Sequence, residues 1–304
     1  MRFSFLGLDI FFKIKKKEDP LTLQDINFGN NKMIEYLRNL SLDEIDKRIK
    51  KVTCNVTEND ENIKRVLSNY GIVIIPDYIP HSKIDKISND LKTIKEKIST
   101  FRLSGKSFEE KKNILYQQEN FKIKRYSELA NYNKAVVNIR KGQDKGMIDI
   151  FNIDKWFHSF RDELRQYFNQ NILIKVIKEY NNSIKATNLN LYMNKGVSKT
   201  RGFHVDGYKK QLKGFVYLED CLDLKCGPYT YVTESHLDFV SQKINKLVST
   251  VLPNSTETPF IFPQNIVPAL AKKGTLVISD QSGSHRGFPQ DEECERIIAV
   301  MNFA

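Results

Sequence analysis

From residue 61 the alternation of apolar and polar positions has a readable grammar. In "ENIKRVLSNYGIVIIPDYIPHSKIDKISNDLKTIKEKI" a short helix ends near Gly71, and the β-branched run Ile72-Val73-Ile74-Ile75 follows as a buried strand. Pro76 and Pro80 punctuate a turn. A helix is then predicted from about Ser82 to Ile98, where Ile84, Ile87, Leu91 and Ile94 share one apolar face. Residues 1–60 read differently, as a polar and basic extension.

Residues 100–150 are strongly polar and read as loop-rich, closing on a strand-like "KAVVNIRK". A helix is predicted from Asp154 to Phe168, with Trp156, Phe160, Leu164 and Phe168 along one stripe, and another near Ile172 to Tyr180. From residue 185 the period becomes alternating. "ATNLNLYMNK" puts Leu189, Leu191 and Met193 on one face and Asn190, Tyr192 and Asn194 on the other. Further strands are predicted at 213–219, 228–233, 274–280 and 294–303. Helices in the first half and short strands in the second give an α+β protein, a β-sandwich or jelly roll wrapped by helices. No internal repeat or low-complexity linker divides it. The expected organisation is a basic N-terminal extension, 1–60, and one domain, 61–304, helical and loop-rich over 61–184 with the jelly-roll core mainly in 185–304.

Composition narrows the class. With 40% hydrophobic and 11% aromatic residues, the 304-residue chain buries a substantial core and is not a disordered protein. Cys54, Cys221, Cys226 and Cys294 form no C-x-x-C pair, which removes a zinc knuckle or thioredoxin-like motif. So few cysteines argue against a disulfide framework, and a reducing cytoplasm is the expected compartment. The formal charge of +11 comes from scattered lysines, not a stripe, so a solvated surface is favoured over a nucleic-acid interface. "MRFSFLGLDIFFKIKKK" has an apolar run interrupted by Asp9, too short to span a bilayer and without the core or cleavage site of a signal peptide. Its Phe and Leu residues beside Lys13, Lys15, Lys16 and Lys17 suit peripheral contact of residues 1–17 with anionic lipid; the alternative is an N-terminal element packed on the body.

Candidate chemistry gathers in "RGFHVDGYKK". At a strand end, residues two apart project to the same face, so His204 and Asp206 point together. An imidazole and a carboxylate, joined by a second histidine from elsewhere, form the facial triad that leaves three positions open on iron. His285, in "ISDQSGSHRGFP" between Gly283 and Gly287, is the better placed second histidine; there the glycines are expected to let the backbone turn tightly. His236, in "TESHLDF", suits capping or surface packing. On the last strand, alternation puts Arg296 on a face with Cys294, Ile298 and Val300. An arginine there calls for an anion, either a bound dicarboxylate or an internal partner such as Asp280 or Glu295.

These segments also carry a resemblance. "NYGIVIIPDYIPHSKIDKI", "GFHVDG" at 202–207, "CGPYTYVTESH" at 226–236 and "GTLVISDQSGSHRG" followed by Arg296 resemble, in order, the phytanoyl-CoA dioxygenase family of iron(II)- and 2-oxoglutarate-dependent oxygenases. The resemblance spans roughly residues 60–304. It implies a double-stranded β-helix (cupin-like jelly-roll) core with N-terminal and flanking helices. It further implies iron held by His204, Asp206 and His285, and 2-oxoglutarate gripped at its distal carboxylate by Arg296. The activity implied is O2-dependent hydroxylation with decarboxylation of 2-oxoglutarate to succinate; Asp206 stands where related halogenases keep a small residue. A hydroxyl residue that assists cosubstrate binding two positions past the distal histidine is here Gly287, so Asn190 and Tyr192 become candidate helpers. The substrate expected is a small or carrier-linked, anionic metabolite, in a pocket built from 100–150 and 237–270. The rival readings are a nucleic-acid-directed oxygenase and a non-catalytic binding protein on the same fold. A second arginine closely following Arg296, the nucleic-acid group's signature, is absent.

Overall fold

Gly71 ends the first helix of the reading above with a φ of 75°, a left-handed cap that suits glycine, and the chain passes directly into the buried strand Ile72–Ile75. The computed structural model describes side chains for residues 31–99, 133–140, 144–168, 176, 187–250, 252 and 256–303. For residues 2–5, 8–11, 23–30, 100–102, 108–109, 113–117 and 186 it describes the backbone element alone. The elements run β1 (Arg2–Phe5), β2 (Leu8–Phe11), α1 (Leu23–Arg38), α2 (Leu42–Lys51), α3 (Asp60–Tyr70), β3 (Ile72–Ile75) and α4 (His81–Arg102). The strands β4 (Phe108–Glu109), β5 (Asn113–Gln117), β6 (Ala135–Ile139) and β7 (Met147–Phe151) follow, then β8 (Ala186–Lys195), β9 (Leu212–Tyr217) and β10 (Tyr229–Val232). Last come α5 (Phe239–Ser249), β11 (Ile266–Pro268), β12 (Leu276–Asp280), β13 (His285–Gly287) and β14 (Glu295–Phe303).

A nine-stranded sheet in the order β3-β12-β9-β14-β8-β7-β6-β5-β4 faces a three-stranded sheet, β11-β10-β13. All pairings are antiparallel except β5 with β6. The sheets share one core: Phe215 of the large sheet and Tyr229 of the small one have ring centroids 4.6 Å apart. α4 lays Ile84, Ile87, Leu91, Ile94 and Ile98 into that core, as the apolar spacing requires.

Three expectations need correction. The loop-rich reading of 100–150 misses β5 and β7, which carry the large sheet outward. The single helix from Asp154 to Phe168 is instead a 3-10 turn, Ile153–Lys155, then a π-helical stretch, Phe160–Arg165, ending in Gln166–Phe168. Its apolar stripe repeats every four residues, which a 3.6-residue period would rotate off the face; the wider turn keeps Phe160, Leu164 and Phe168 buried. Residues 31–60 are not a bare extension. Val52 and Cys54 belong to the main core, and Leu37 with Met33, Ile34, Tyr36 and Leu40 covers the outer face of the small sheet at Phe203, Val232, Ile266 and Phe288. Arg48 fastens this layer by donating to the carbonyls of Pro263 (3.0 Å) and Ile266 (2.9 Å). The helix expected near 172–180 lies outside the described residues apart from Val176, as do the side chains of residues 1–17.

Candidate metal centre

His204 and His285 meet because their backbones pair. Each donates its N–H to the other's carbonyl, at 3.0 and 2.9 Å, the hydrogen-bonded pair of an antiparallel ladder. Cross-strand partners share a face, and the ring centroids stand 4.6 Å apart. Tyr231 of β10 pairs with His285 on its other side, so the histidine is held within the small sheet. Asp206 follows two residues after His204, and its N–H donates to the Gln281 carbonyl at 3.0 Å. One potential ligand atom from each of His204, Asp206 and His285 lies within 4.8 Å of the others. No other such group of His, Cys, Asp or Glu occurs among the described residues.

The flanking carbonyls decide which nitrogen faces the centre. His204 Nδ1 lies 2.8 Å from the Gly202 carbonyl, and His285 Nδ1 lies 2.9 Å from that of Gly283. A carbonyl only accepts, so both Nδ1 atoms carry the proton and both Nε2 lone pairs are left for a metal. His285 Nε2 stands 3.8 Å from Asp206 Oδ1. Burial holds both imidazoles below their usual pKa, His204 well below it; His285 and Arg201 add to the effect at His204, and Lys213 and Arg201 at His285. Burial alone would raise the Asp206 carboxyl, but the Lys213 ammonium together with His285 and His204 outweighs it and keeps the group below the ordinary carboxylate range. Two neutral imidazoles beside one carboxylate are the protonation states that metal ligation demands.

Lys213 touches this cluster and was not anticipated from the sequence. It donates to Asp206 Oδ2, and its side chain is 17% exposed. The signal was present: on β9, alternation puts Lys213 on the same face as Phe215 and Tyr217, which are core residues. Arg201 was missed too. Its Nη2 donates to Thr256 Oγ1 at 2.5 Å, while its Nε is buried without a partner, and its charge acts on Asp206 and both histidines.

Arg296 is 5% exposed, on β14 opposite Asn194. One Nη donates to the carbonyl of Gly227, and Nε is buried with no partner. Neither internal partner weighed above is used: Glu295 pairs with Lys95 at 2.8 Å, and Asp280 accepts from the Ser282 N–H at 2.9 Å. A buried guanidinium without a carboxylate among the described residues costs several kcal/mol unless an anion arrives. Tyr229 stands beside the triad, its ring 5.7 Å from that of His285 and 4.6 Å from that of Phe215, and its hydroxyl within 2.9 Å of Ser279 Oγ.

A tight turn does precede His285, closed by the Gly283 N–H donating to the Asp280 carbonyl at 3.1 Å, but neither Gly283 nor Gly287 has a positive φ. Close packing excludes a side chain at Gly283, whereas Gly287 has ordinary contact space. A Cβ on Gly283 would fall 1.9 Å from the Tyr231 hydroxyl, and one on Gly287 would sit 3.5 Å from Arg296 Nη2. Tyr192 shares a face with Arg296, two residues along the β8–β14 ladder, and its hydroxyl is pushed up by burial. Asn190 is fully buried and accepts from the Asn152 N–H at 3.1 Å, while its Nδ2 has no partner. His236 lies away from the centre and is buried, not on the surface: Nε2 is 3.0 Å from the Ser68 carbonyl, and the ring packs against Gly71.

Part of the segment 237–270 lines a cavity of about 650 Å³ with Val205, Tyr208, Val232, Thr258 and Ser284. None of His204, Asp206 and His285 lines it, because Val205 and Ser284 point to the opposite side of the strands that carry them.

No protein-family profile and no curated protein matches the chain. Solved structures do. SnoK, a non-heme alpha ketoglutarate dependent carbocyclase from nogalamycin biosynthesis, is 12% identical over 81% of this chain and 85% of its own, with a TM-score of 0.50. AviO1 from Streptomyces viridochromogenes is 14% identical over 82% and 96%, with a TM-score of 0.49. HygX from Streptomyces hygroscopicus, solved with nickel and 2-oxoglutarate bound, is 9% identical over 79% and 85%, with a TM-score of 0.48. At this identity the likeness to SnoK is one of fold. No helix among the described residues is long and apolar enough to cross a membrane.

Proposed function

We propose that the chain is an iron(II)/2-oxoglutarate-dependent oxygenase of the phytanoyl-CoA dioxygenase kind, on a double-stranded β-helix core, that hydroxylates a small or carrier-linked metabolite. The observation that carries this reading is the convergence of His204, Asp206 and His285 with both Nδ1 atoms committed to carbonyls. That donor set, two neutral imidazoles and one carboxylate, fits iron(II) and leaves coordination positions open. The fold shared with SnoK, itself alpha ketoglutarate dependent, agrees with it.

Bound iron with 2-oxoglutarate supplies the oxidising power, drawn from O2 and paid out as succinate and CO2. The chain's own residues do the rest. His204, Asp206 and His285 hold the metal on one side. Arg296, buried and lacking a carboxylate, takes the distal carboxylate of the cosubstrate; Gly287 leaves room beside its Nη2 and contributes no hydroxyl. Tyr229, packed on Phe215, flanks His285. Lys213, which donates to Asp206, and Arg201, whose charge acts on the same carboxylate, put two positive charges beside the centre, and these favour an anionic substrate.

A nucleic-acid substrate finds less support, since no second arginine follows Arg296 closely. The cytoplasmic location rests on cysteine usage alone. The test is succinate formed from 2-oxoglutarate in the presence of iron(II) and O2, followed by NMR. The wild type is expected to turn over slowly without substrate, and His204→Ala to fall to background. Equal rates in the two proteins would sink the iron site.

A further inference from the structure

α5 is built inside out. Its buried residues are Ser241, Asn245 and Ser249, one polar stripe at four-residue spacing. Asn245 is satisfied there, donating to the Phe260 carbonyl and accepting from the Phe260 N–H, both at 2.8 Å. The apolar residues point the other way: Phe239 is 70% exposed, Val240 69% and Leu247 70%, with Leu237 at 46% just before the helix. These are four of the seven exposed large apolar side chains among the described residues, so the patch is a cluster, not background scatter.

The surrounding charge selects the partner. Lys243 and Lys246 are exposed on the same helix, and Lys209 and Lys210 are exposed on the adjoining loop, where Lys246 Nζ stands 5.9 Å from the Tyr208 ring centroid. The nearby acids are already engaged: Asp238 caps the helix through Ser241, and Glu234 pairs with Lys51 at 3.3 Å. A second copy would bring like charge against like charge. Phe239, Val240 and Leu247 are exposed and outside the lining of the cavity, which takes in Leu237, and long lysine stems beside them can keep their ammonium groups at a polar boundary.

We propose that α5 and the 208–210 loop form a docking face for an anionic phospholipid surface, with Phe239, Val240 and Leu247 entering the headgroup boundary and the lysines meeting the phosphates. This face is separate from residues 1–17 and does not depend on the activity proposed above.

The test is co-sedimentation of the full chain with phosphatidylcholine vesicles and with vesicles containing a third phosphatidylglycerol. Binding is expected to the anionic vesicles only, and to weaken as salt is raised. Lys243→Glu with Lys246→Glu, and separately Phe239→Ser with Val240→Ser, should each reduce binding by about tenfold or more. All four positions are exposed, so these variants should melt with the wild type, and the melting curves are the control. Absence of binding by the wild type would overturn the proposal. So would binding that survives both variants and is lost only when residues 1–17 are removed.

Discussion

At the scale of single side chains, the centre is defined by which nitrogen each imidazole leaves free. The Gly202 and Gly283 carbonyls take the Nδ1 protons, and burial disfavours a second proton on either ring. His236 is likewise buried and likewise lowered. All three titrate near 6.5 when free in the unfolded chain. Below that pH the unfolded state therefore binds more protons than the folded one, and stability falls as pH falls. The metal-free protein should thus melt at a clearly lower temperature at pH 5.5 than at pH 7.5; an unchanged melting temperature would contradict buried neutral histidines. His204, Asp206 and His285 were legible because an H-x-D at a strand end and a distant histidine next to a core strand leave few ways to assemble. Lys213 was harder to see. Its meaning comes from the carboxylate it meets across the interior, not from its neighbours along the chain.

At the scale of elements, β-branched runs and one-sided apolar spacing made β3, α4, β8 and β14 readable. α1 and α2 were hidden by the polar and lysine-rich character of residues 1–60. Yet Ser41-Leu42-Asp43-Glu44 is a capping box, in which Ser41 N–H donates to Glu44 Oε2 at 2.9 Å and Glu44 N–H to Ser41 Oγ at 3.3 Å. That signal could have placed the start of α2. β13 escaped because it is three residues long and begins at the candidate ligand itself. The packing of α1 has a measurable consequence. Leu37 is 1% exposed against the small sheet that carries His285, so Leu37→Ala should cost about 2–5 kcal/mol. Urea unfolding measures it; a cost below about 1 kcal/mol would mean that the layer adds little to the fold.

At the scale of the whole molecule, the small sheet carries His285 of the triad and, two residues on, Gly287, which lies against Arg296 of the large sheet, while α1 and α2 cover the outer face of the small sheet and α5 turns its apolar side outward. The alternating periods foretold sheets in the second half and the strand-like run that became β6, but not β4, β5 and β7, since their polar surroundings concealed them. The central claim is that one interior binds iron(II) and 2-oxoglutarate together. Anaerobic titration of the metal-free protein with iron(II), then 2-oxoglutarate, tests it through the visible charge-transfer band of an iron–ketoacid chelate. The account predicts a band that saturates at equimolar iron, is absent in His285→Ala, and needs about 10- to 100-fold more 2-oxoglutarate in Arg296→Ala, as expected for lost hydrogen bonds to a charged group. A folded wild-type protein that shows no band would contradict it.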